Sequence, residues 1–190
     1  LSWTSSSGGA SAVNDLSDAL IEDYSLYLGN DPSGTTSTAE YNVAVGITAL
    51  DAITTGDGNT AFGHNSLTAN TSGAYNVGIG NSTLADNTSG VSNLAIGHVA
   101  LASNSTGNYN VGVGHSALHG NTTGIRNTAL GYGALDYPDT EDDNLAIGYD
   151  ALGGSIAGGE YNVAIGNYSL DANTSGDYNV AIGYDALTSN

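Results

Sequence analysis

The sequence contains almost no positive charge and no sulfur. Arg126 is the only Lys or Arg in 190 residues, against 19 Asp and Glu, and the formal net charge is −18. Without a basic patch the chain cannot neutralise phosphates, which excludes nucleic acids and anionic membrane surfaces as partners. The absence of Cys also excludes disulfides, thiolate metal sites and cysteine catalysis.

Long apolar runs are missing as well. The longest span a few residues, far below the roughly 20 that a membrane-spanning helix needs, and no signal-peptide pattern opens the chain. Leu, Ile, Val and Phe together supply only 38 residues. With so much charge of one sign, that share borders on the composition of disordered chains. An ordered fold therefore requires a regular arrangement of these few residues.

A 17-residue repeat provides such an arrangement. The phrase Asn-φ-(Ala/Gly)-φ-Gly, where φ is a large apolar residue or Thr, begins nine times at intervals of 17 residues, with one interval of 18. Taking the Asn as position one, the starts are Asn42, Asn59, Asn76, Asn93, Asn110, Asn127, Asn144, Asn162 and Asn179. Leu recurs at position nine as Leu50, Leu67, Leu84, Leu101, Leu118, Leu135, Leu152, Leu170 and Leu187. Nine Leu residues in phase indicate a repeat architecture rather than disorder.

The repeat predicts an all-β protein, a parallel β-solenoid with one 17-residue coil per copy. The apolar phrase alternates like a strand, and the Asn-Thr-Ser-Gly segment at positions twelve to fifteen is turn chemistry. The few residues between the two turns are too short for a helix, so we expect a second strand around the Leu. Stacked coils would pair in parallel at roughly 4.8 Å and form a rod of order 40 Å long.

Alternation along the strand assigns the two faces of the phrase. We expect positions two, four and nine to form the core and position three to face outward, because neighbouring residues in a strand point to opposite sides. Small residues there would let another backbone approach, which predicts a parallel homotrimer. The predicted trimer-facing column is Ala44, Ala61, Gly78, Ala95, Gly112, Ala129, Ala146, Ala164 and Ala181.

The Asn column at position one is a structural candidate. An amide carries both donors and an acceptor, so identical amides one coil apart can hydrogen-bond along the stack as a ladder. The alternative is that each Asn simply forms a turn.

Three segments make up the chain. Residues 1–24 are predicted to be a linker and entry segment, in which 1–11 are rich in Ser and Gly and 15–24 fit a short helix or, preferably, a strand entering a hairpin. Residues 25–41 resemble a degenerate capping repeat. Residues 42–190 form the nine-copy array, whose last copy is incomplete at Asn190, so we expect the array to continue.

Two copies depart from the consensus on the turn side. Residues 136–143 place five carboxylates within eight residues, a composition that could bind Ca²⁺. Without EF-hand spacing, a solvated acidic turn is the favoured interpretation. The single-residue insertion falls within 153–160 and predicts a longer loop.

Aromatic residues recur at two positions. Position six holds His64, His98, His115, Tyr132, Tyr149 and Tyr184, and position seventeen holds Tyr75, Tyr109, Tyr161 and Tyr178, with Tyr41 before the array. An outward stripe at position six could stack on sugars, or three chains could bring one His each to a metal at an axis. The favoured interpretation is that the flat rings at position six cover the neighbouring coil. No nucleophile elbow or triad spacing is present, so neither catalytic residues nor cofactors are predicted.

The repeat resembles known fibrous proteins. Asn162-Val-Ala-Ile-Gly166 and Asn144-Leu-Ala-Ile-Gly148 are similar to the head repeats of trimeric autotransporter adhesins such as the Yersinia adhesin. Asn121-Thr-Thr-Gly-Ile-Arg-Asn-Thr-Ala-Leu-Gly131 looks even more like repeats of phage tail fibres. The resemblance covers residues 25–190 and implies left-handed, trimeric β-rolls, although 17 residues per coil exceeds the commonest adhesin-head length.

The resemblance implies a non-enzymatic fibre segment of a virion that serves host attachment, with a bacterial surface adhesin head as the alternative. The implied partners are further copies of the chain, other virion tail or baseplate proteins, and a host surface glycan or protein. The implied location is the virion tail fibre or, for the alternative, the bacterial cell surface.

Overall fold

The structure is a computed structural model that describes residues 19–29, 32, 36–154 and 159–188. It is one eleven-stranded sheet in which spatial order follows chain order. The strands are β1 Ala19–Glu22, β2 Ser25–Leu28, β3 Val43–Val45, β4 Thr60–Phe62, β5 Val77–Ile79, β6 Leu94–Ile96, β7 Val111–Val113, β8 Thr128–Leu130, β9 Leu145–Ile147, β10 Val163–Ile165 and β11 Val180–Ile182.

Strands β2 to β11 pair in parallel with repeat positions in register. Val77 lies beside Leu94 and Ile79 beside Ile96, and the same correspondence continues along the sheet. The all-β prediction and the parallel solenoid of about nine coils of 17 residues are confirmed. Each of the nine coils that begin with Asn has one three-residue strand, and hydrogen bonds between adjacent coils let so few apolar residues form a continuous core.

An antiparallel hairpin precedes the parallel stack. Strand β1 pairs with β2, with Ala19 opposite Leu28, so the preference for a strand over a helix at this point is confirmed. Residues 1–18, which include the predicted linker, lie outside the described residues. A strand laid antiparallel on the first parallel strand covers an edge that would otherwise offer unpaired backbone groups.

The degenerate coil that begins at Ser25, before the nine-copy array, fills its interior differently from the other coils. Tyr27 occupies the place of the position-three Ala and is fully buried. Ser25 stands where the Asn column would continue, and its hydroxyl accepts the Asn42 backbone N–H at 2.9 Å. A large ring therefore closes the end of a core that is otherwise lined by small residues.

The predicted orientation of the strands is wrong. Position three lies inside the roll: all nine residues of the predicted trimer-facing column are buried within the single chain, namely Ala44, Ala61, Gly78, Ala95, Gly112, Ala129, Ala146, Ala164 and Ala181. Positions two and four face outward. Leu170 is fully buried as expected, but Val163 and Ile165 are only partly covered.

The thinness of the roll explains the reversal. Position three faces the small residue at position eight and the Leu at position nine across the interior. A Cβ built on Gly78 would lie 2.5 Å from Ser66 Oγ and 2.9 Å from Thr83 Oγ1. Space for a methyl group is already limited at this level, so a β-branched residue would overpack it. The interior takes the small column, and the large residues go outside.

The second strand expected around the Leu is absent from the described coils. Positions seven and nine are in the left-handed region in every copy, as at Val99 (φ 51°) and Leu101 (φ 52°). Positive φ breaks the extended conformation. Hydrogen bonds to the next coil persist there, because the Leu101 N–H donates to the Ala117 carbonyl at 3.0 Å. Eight of the nine Leu side chains are fully buried; Leu187, in the last coil, is 45% exposed.

Position one forms a hydrogen-bonded Asn ladder. The Asn93 side-chain oxygen accepts the Asn110 backbone N–H at 2.9 Å. Its side-chain nitrogen donates to the Gly107 carbonyl at 2.8 Å and to Asn76 Oδ1 at 3.1 Å. Each amide thus ties its own turn to the strands of neighbouring coils, which is more than a turn former does.

A second Asn ladder, not foreseen from the sequence, runs through position twelve. Asn87 Nδ2 donates to Asn70 Oδ1 at 2.8 Å, and the pattern repeats through Asn104 and Asn121. It stops where Pro138 takes the place of the next Asn. Asn121 Oδ1 is then buried without a hydrogen-bond partner among the described residues, because proline has no amide to offer.

Candidate functional surface

The outer face of the sheet is an exposed apolar strip formed by positions two and four. Two columns of Val, Ile, Leu, Phe and Thr side chains run the length of the nine-coil array. Phe62 is 56% exposed, Leu130 48% and Ile79 40%, and most of the others are half-buried. At about 40 Å long and about 10 Å wide, the outer strip covers about 400 Å², which is comparable to the largest apolar patches of monomeric proteins.

Charge is kept away from the outer strip. No Asp, Glu, Lys or Arg occupies positions one to six in any of the nine copies, although the chain carries 19 acidic residues. Carboxylates lie instead on the turns, as at Asp51, Asp86 and Asp171. Among the surfaces formed by the described residues, this neutral, apolar face is the one on which like-charged copies meet least repulsion.

The aromatic residues at position six stack on one another beside the outer strip. The ring centroids of His98 and His115 are 5.0 Å apart, those of His115 and Tyr132 4.8 Å, and those of Tyr132 and Tyr149 5.2 Å. The faces of the inner rings are therefore covered by neighbouring rings, and the edges point to solvent. This agrees with flat rings covering the next coil and leaves little free ring face for a sugar.

The Tyr residues at position seventeen flank the other side of the outer strip. Tyr161 and Tyr178 stack with centroids 5.0 Å apart, whereas Tyr75 and Tyr109 are exposed and pair with no other aromatic ring among the described residues. The negative charge of Asp143 raises the pKa of the Tyr161 hydroxyl, although a tyrosine is protonated at neutral pH without such a shift.

The irregular turn at residues 136–143 does not bring its carboxylates together. Asp143 accepts two hydrogen bonds of 2.6 Å from the Arg126 guanidinium, while Glu141 is buried. Asp136 Oδ1 is 3.6 Å from His119 Nδ1, an ion-pair distance too long for a hydrogen bond, and this buried oxygen has no hydrogen-bond partner within the described ranges. The surroundings of Asp143 therefore favour its charged form, whereas those of Asp136 disfavour it.

Replacing Asp136 by Asn is expected to stabilise the fold at neutral pH. Burial raises the pKa of the Asp136 carboxyl, although His119 opposes the shift. The folded state then holds its proton more tightly than the unfolded state, so stability is lost as pH rises through the folded pKa. We expect the D136N variant to gain about 0.5 kcal/mol at pH 7 in urea unfolding, and the gain to disappear as the pH falls well below about 3.9, the ordinary Asp pKa, where the carboxyl is protonated in both states.

Asp143→Asn in the same turn is the matched comparison, and it should change the stability at pH 7 in the opposite direction. The hydrogen bonds from Arg126 lower the pKa of the Asp143 carboxyl, so its contribution to stability is present at neutral pH and is lost on acidification. D143N should therefore be less stable than the parent at pH 7. A stabilised D143N or a destabilised D136N would contradict this account of the turn.

The described part of the chain offers little for small-molecule chemistry. It contains no pocket and no group of three or more His, Cys, Asp or Glu side chains placed to hold a metal ion. No helix in these residues has the length and hydrophobicity needed to cross a membrane. The surface presents repeated short turns, two aromatic columns and the outer strip, and of these the strip is the largest feature suited to a partner.

Threonine at position thirteen forms another column, but its hydroxyls serve the stack. Thr54 Oγ1 donates to the Thr71 carbonyl at 2.8 Å, and Thr71 and Thr88 repeat the contact one coil further on. The neighbouring Asn70 is fully buried, so its Asn-Thr-Ser pattern is a structural turn, closed to glycosylation in the folded chain.

Sequence reasoning found the outer strip but assigned it to the core. The absence of charge from positions one to six indicates that these residues are covered, since a solvent-facing strand usually carries some charge, but it does not distinguish the core of one chain from an interface between chains. Comparison of the chain with protein-family models, with curated proteins and with solved structures finds no match.

Proposed function

We propose that the chain is a structural, non-enzymatic segment of a phage tail fibre that takes part in host attachment as a rod-like spacer. The single observation that carries this proposal is the apolar, charge-free outer strip on an otherwise uniform solenoid. Nearly identical turns make an even surface, whereas tight receptor sites need varied polar groups on loops. The resemblance of the repeat to tail-fibre repeats supplies the virion context.

The proposed assembly is a parallel homotrimer of left-handed coils in which the outer strips of three chains face a common axis. Positions two and four then form the contact that the sequence alone predicts for position three. The strip is continuous along all nine coils, so parallel copies in register would cover it over its whole length. Covering an exposed apolar strip is favourable by roughly 25 cal/mol for each Å² removed from water.

Placing a charge in the outer strip should abolish assembly. Ile96→Glu would bring three carboxylates to the apolar axis, where burying an unpaired charge is strongly unfavourable. The expected result is a shift from the mass of three chains to that of one in analytical ultracentrifugation. The matched control is Thr106→Glu, which adds the same charge to the same coil on the exposed turn side and should leave the trimer intact.

Varying the ionic strength is a second test of the same assembly. Three chains of charge −18 repel one another unless counter-ions screen them. We therefore expect a firm trimer at seawater ionic strength and a looser one in dilute buffer. A monomeric mass for the parent chain at high salt would overturn the proposed assembly.

The attachment role is tested separately from the assembly. Antibodies raised against the purified chain should label the tails of phage particles in electron micrographs. Labelling of bacterial envelopes instead would favour the adhesin-head alternative. Release of reducing sugar from host surface polysaccharide by the purified chain would contradict the non-enzymatic role.

A further inference from the structure

Two adjacent coils present histidines at the same repeat position. His98 and His115 are exposed, follow the ends of neighbouring strands β6 and β7, and have ring centroids 5.0 Å apart with planes 27° from parallel. The next ring, Tyr132, lies nearly parallel to His115, so the pair is held at one end of a longer stack. The register of the sheet therefore fixes these imidazoles side by side.

The hydrogen bonding of His115 orients its ring. Its Nδ1 lies 3.0 Å from the Ser116 hydroxyl, which leaves Nε2 directed away from that contact. An imidazole whose other nitrogen is already engaged is the usual arrangement of a metal-binding His. The rings are stacked with centroids 5.0 Å apart, so sharing an ion requires both exposed side chains to rotate out of the stack until one nitrogen of each lies about 2.0–2.1 Å from the metal.

We propose that His98 and His115 form a surface site for one divalent transition-metal ion that prefers imidazole, with water completing the coordination. The site uses two protein ligands from successive coils, so it exists only where two copies in a row carry His at position six. Cu²⁺ should bind more tightly than Zn²⁺, following the usual order of affinities for nitrogen ligands.

The other two histidines of the chain lack this arrangement. Asn81 separates His64 from His98 in the position-six column, which places them two coils, or about 9.6 Å, apart. His119 lies beside Asp136 at 3.6 Å and in an edge contact with Tyr137. His64 is therefore a natural control, since it has the same position in the coil without a His neighbour.

The test is a Cu²⁺ titration of the full 190-residue chain, in which calorimetry measures the affinity and electron paramagnetic resonance detects the coordinated nitrogens. Excess Ca²⁺ is included to occupy carboxylates, because an acidic surface attracts any divalent cation. The variants are His98→Tyr, His115→Tyr and His64→Tyr. Tyr is chosen because Tyr132 and Tyr149 already stack on each other in the same column, so the fold should be retained. Thermal unfolding of each variant checks that it is.

The expected result is one saturable Cu²⁺ site per chain, with nitrogen hyperfine structure from two imidazoles. H98Y and H115Y should each weaken binding at least about tenfold and leave one coupled nitrogen, whereas H64Y should bind like the parent. The proposal is overturned if Ca²⁺ removes the binding, if H98Y binds as well as the parent, or if H64Y loses affinity as much as the paired variants.

Discussion

Gly114→Ala should destabilise the chain severely. A Cβ at this position would lie 2.2 Å from the Gly131 carbonyl oxygen and 2.6 Å from its carbon, and these are backbone atoms of the next coil that cannot swing aside. Gly114 also has a φ of 138°, which costs an Ala side chain further strain. The combined loss should be about 3 kcal/mol or more, measured by urea unfolding of purified protein.

Gly183→Ala provides the matched control. Gly183 occupies the same position in the last coil with a φ of 127°, but an added Cβ would meet nothing within 4 Å. The backbone strain is similar and the clash with a following coil is gone. G183A should therefore lose only about 1–2 kcal/mol. Equal losses in the two variants would show that backbone conformation alone, without stacking, sets the requirement for glycine.

Asn93→Ala should cause the second large loss. The substitution leaves the Asn110 backbone N–H buried without its acceptor, Asn93 Oδ1, and opens a small cavity in the ladder. The Gly107 carbonyl keeps one partner, because Asn104 Nδ2 also donates to it at 3.1 Å. A buried orphan donor costs about 1–3 kcal/mol, so the expected total is about 2–4 kcal/mol by urea unfolding.

The control for Asn93 is Asn81→Ala. Asn81 is exposed at position six and takes no part in either ladder, so N81A should lower the free energy of unfolding by no more than about 0.5 kcal/mol. Similar losses for N81A and N93A would contradict a structural role for the ladder.

The repeat period was enough to predict the architecture. Asn at position one and Leu at position nine recur in phase over nine copies, and only a stack of equivalent coils satisfies such a pattern at this length. Parallel pairing follows, because each coil must return to the same place one layer on. These conclusions need no knowledge of what lies inside the coil.

The facing of the strand could not be predicted in the same way. Alternation separates Ala95 from Leu94 and Ile96, but it does not say which side is the interior. Hydrophobicity favoured the large residues, and the interior width favoured the small ones. Width depends on the conformation at positions seven and nine, where Val99 and Leu101 adopt positive φ, and no residue preference signals that conformation for Leu or Val.

The second ladder was missed for a related reason. Asn at position twelve is a strong turn former, which gave a sufficient local explanation for Asn70 and Asn87. Its burial and its contact with the Asn of the adjacent coil arise only from stacking. The outer strip, in turn, became visible as a candidate interface only once positions two and four were seen to face outward.

Engineered disulfides test most directly whether residues 17 apart lie in adjacent coils. The chain has no Cys, so a Ser72→Cys, Ser89→Cys pair on exposed position-fourteen turns can be compared with Ser72→Cys, Thr106→Cys. Stacking places the first pair about 4.8 Å apart, within disulfide range, and the second about 9.6 Å apart, beyond it. Mass spectrometry after mild oxidation should find an intrachain disulfide in the first variant alone. Failure of the first pair to close, or equal closure of both, would contradict the stacked solenoid.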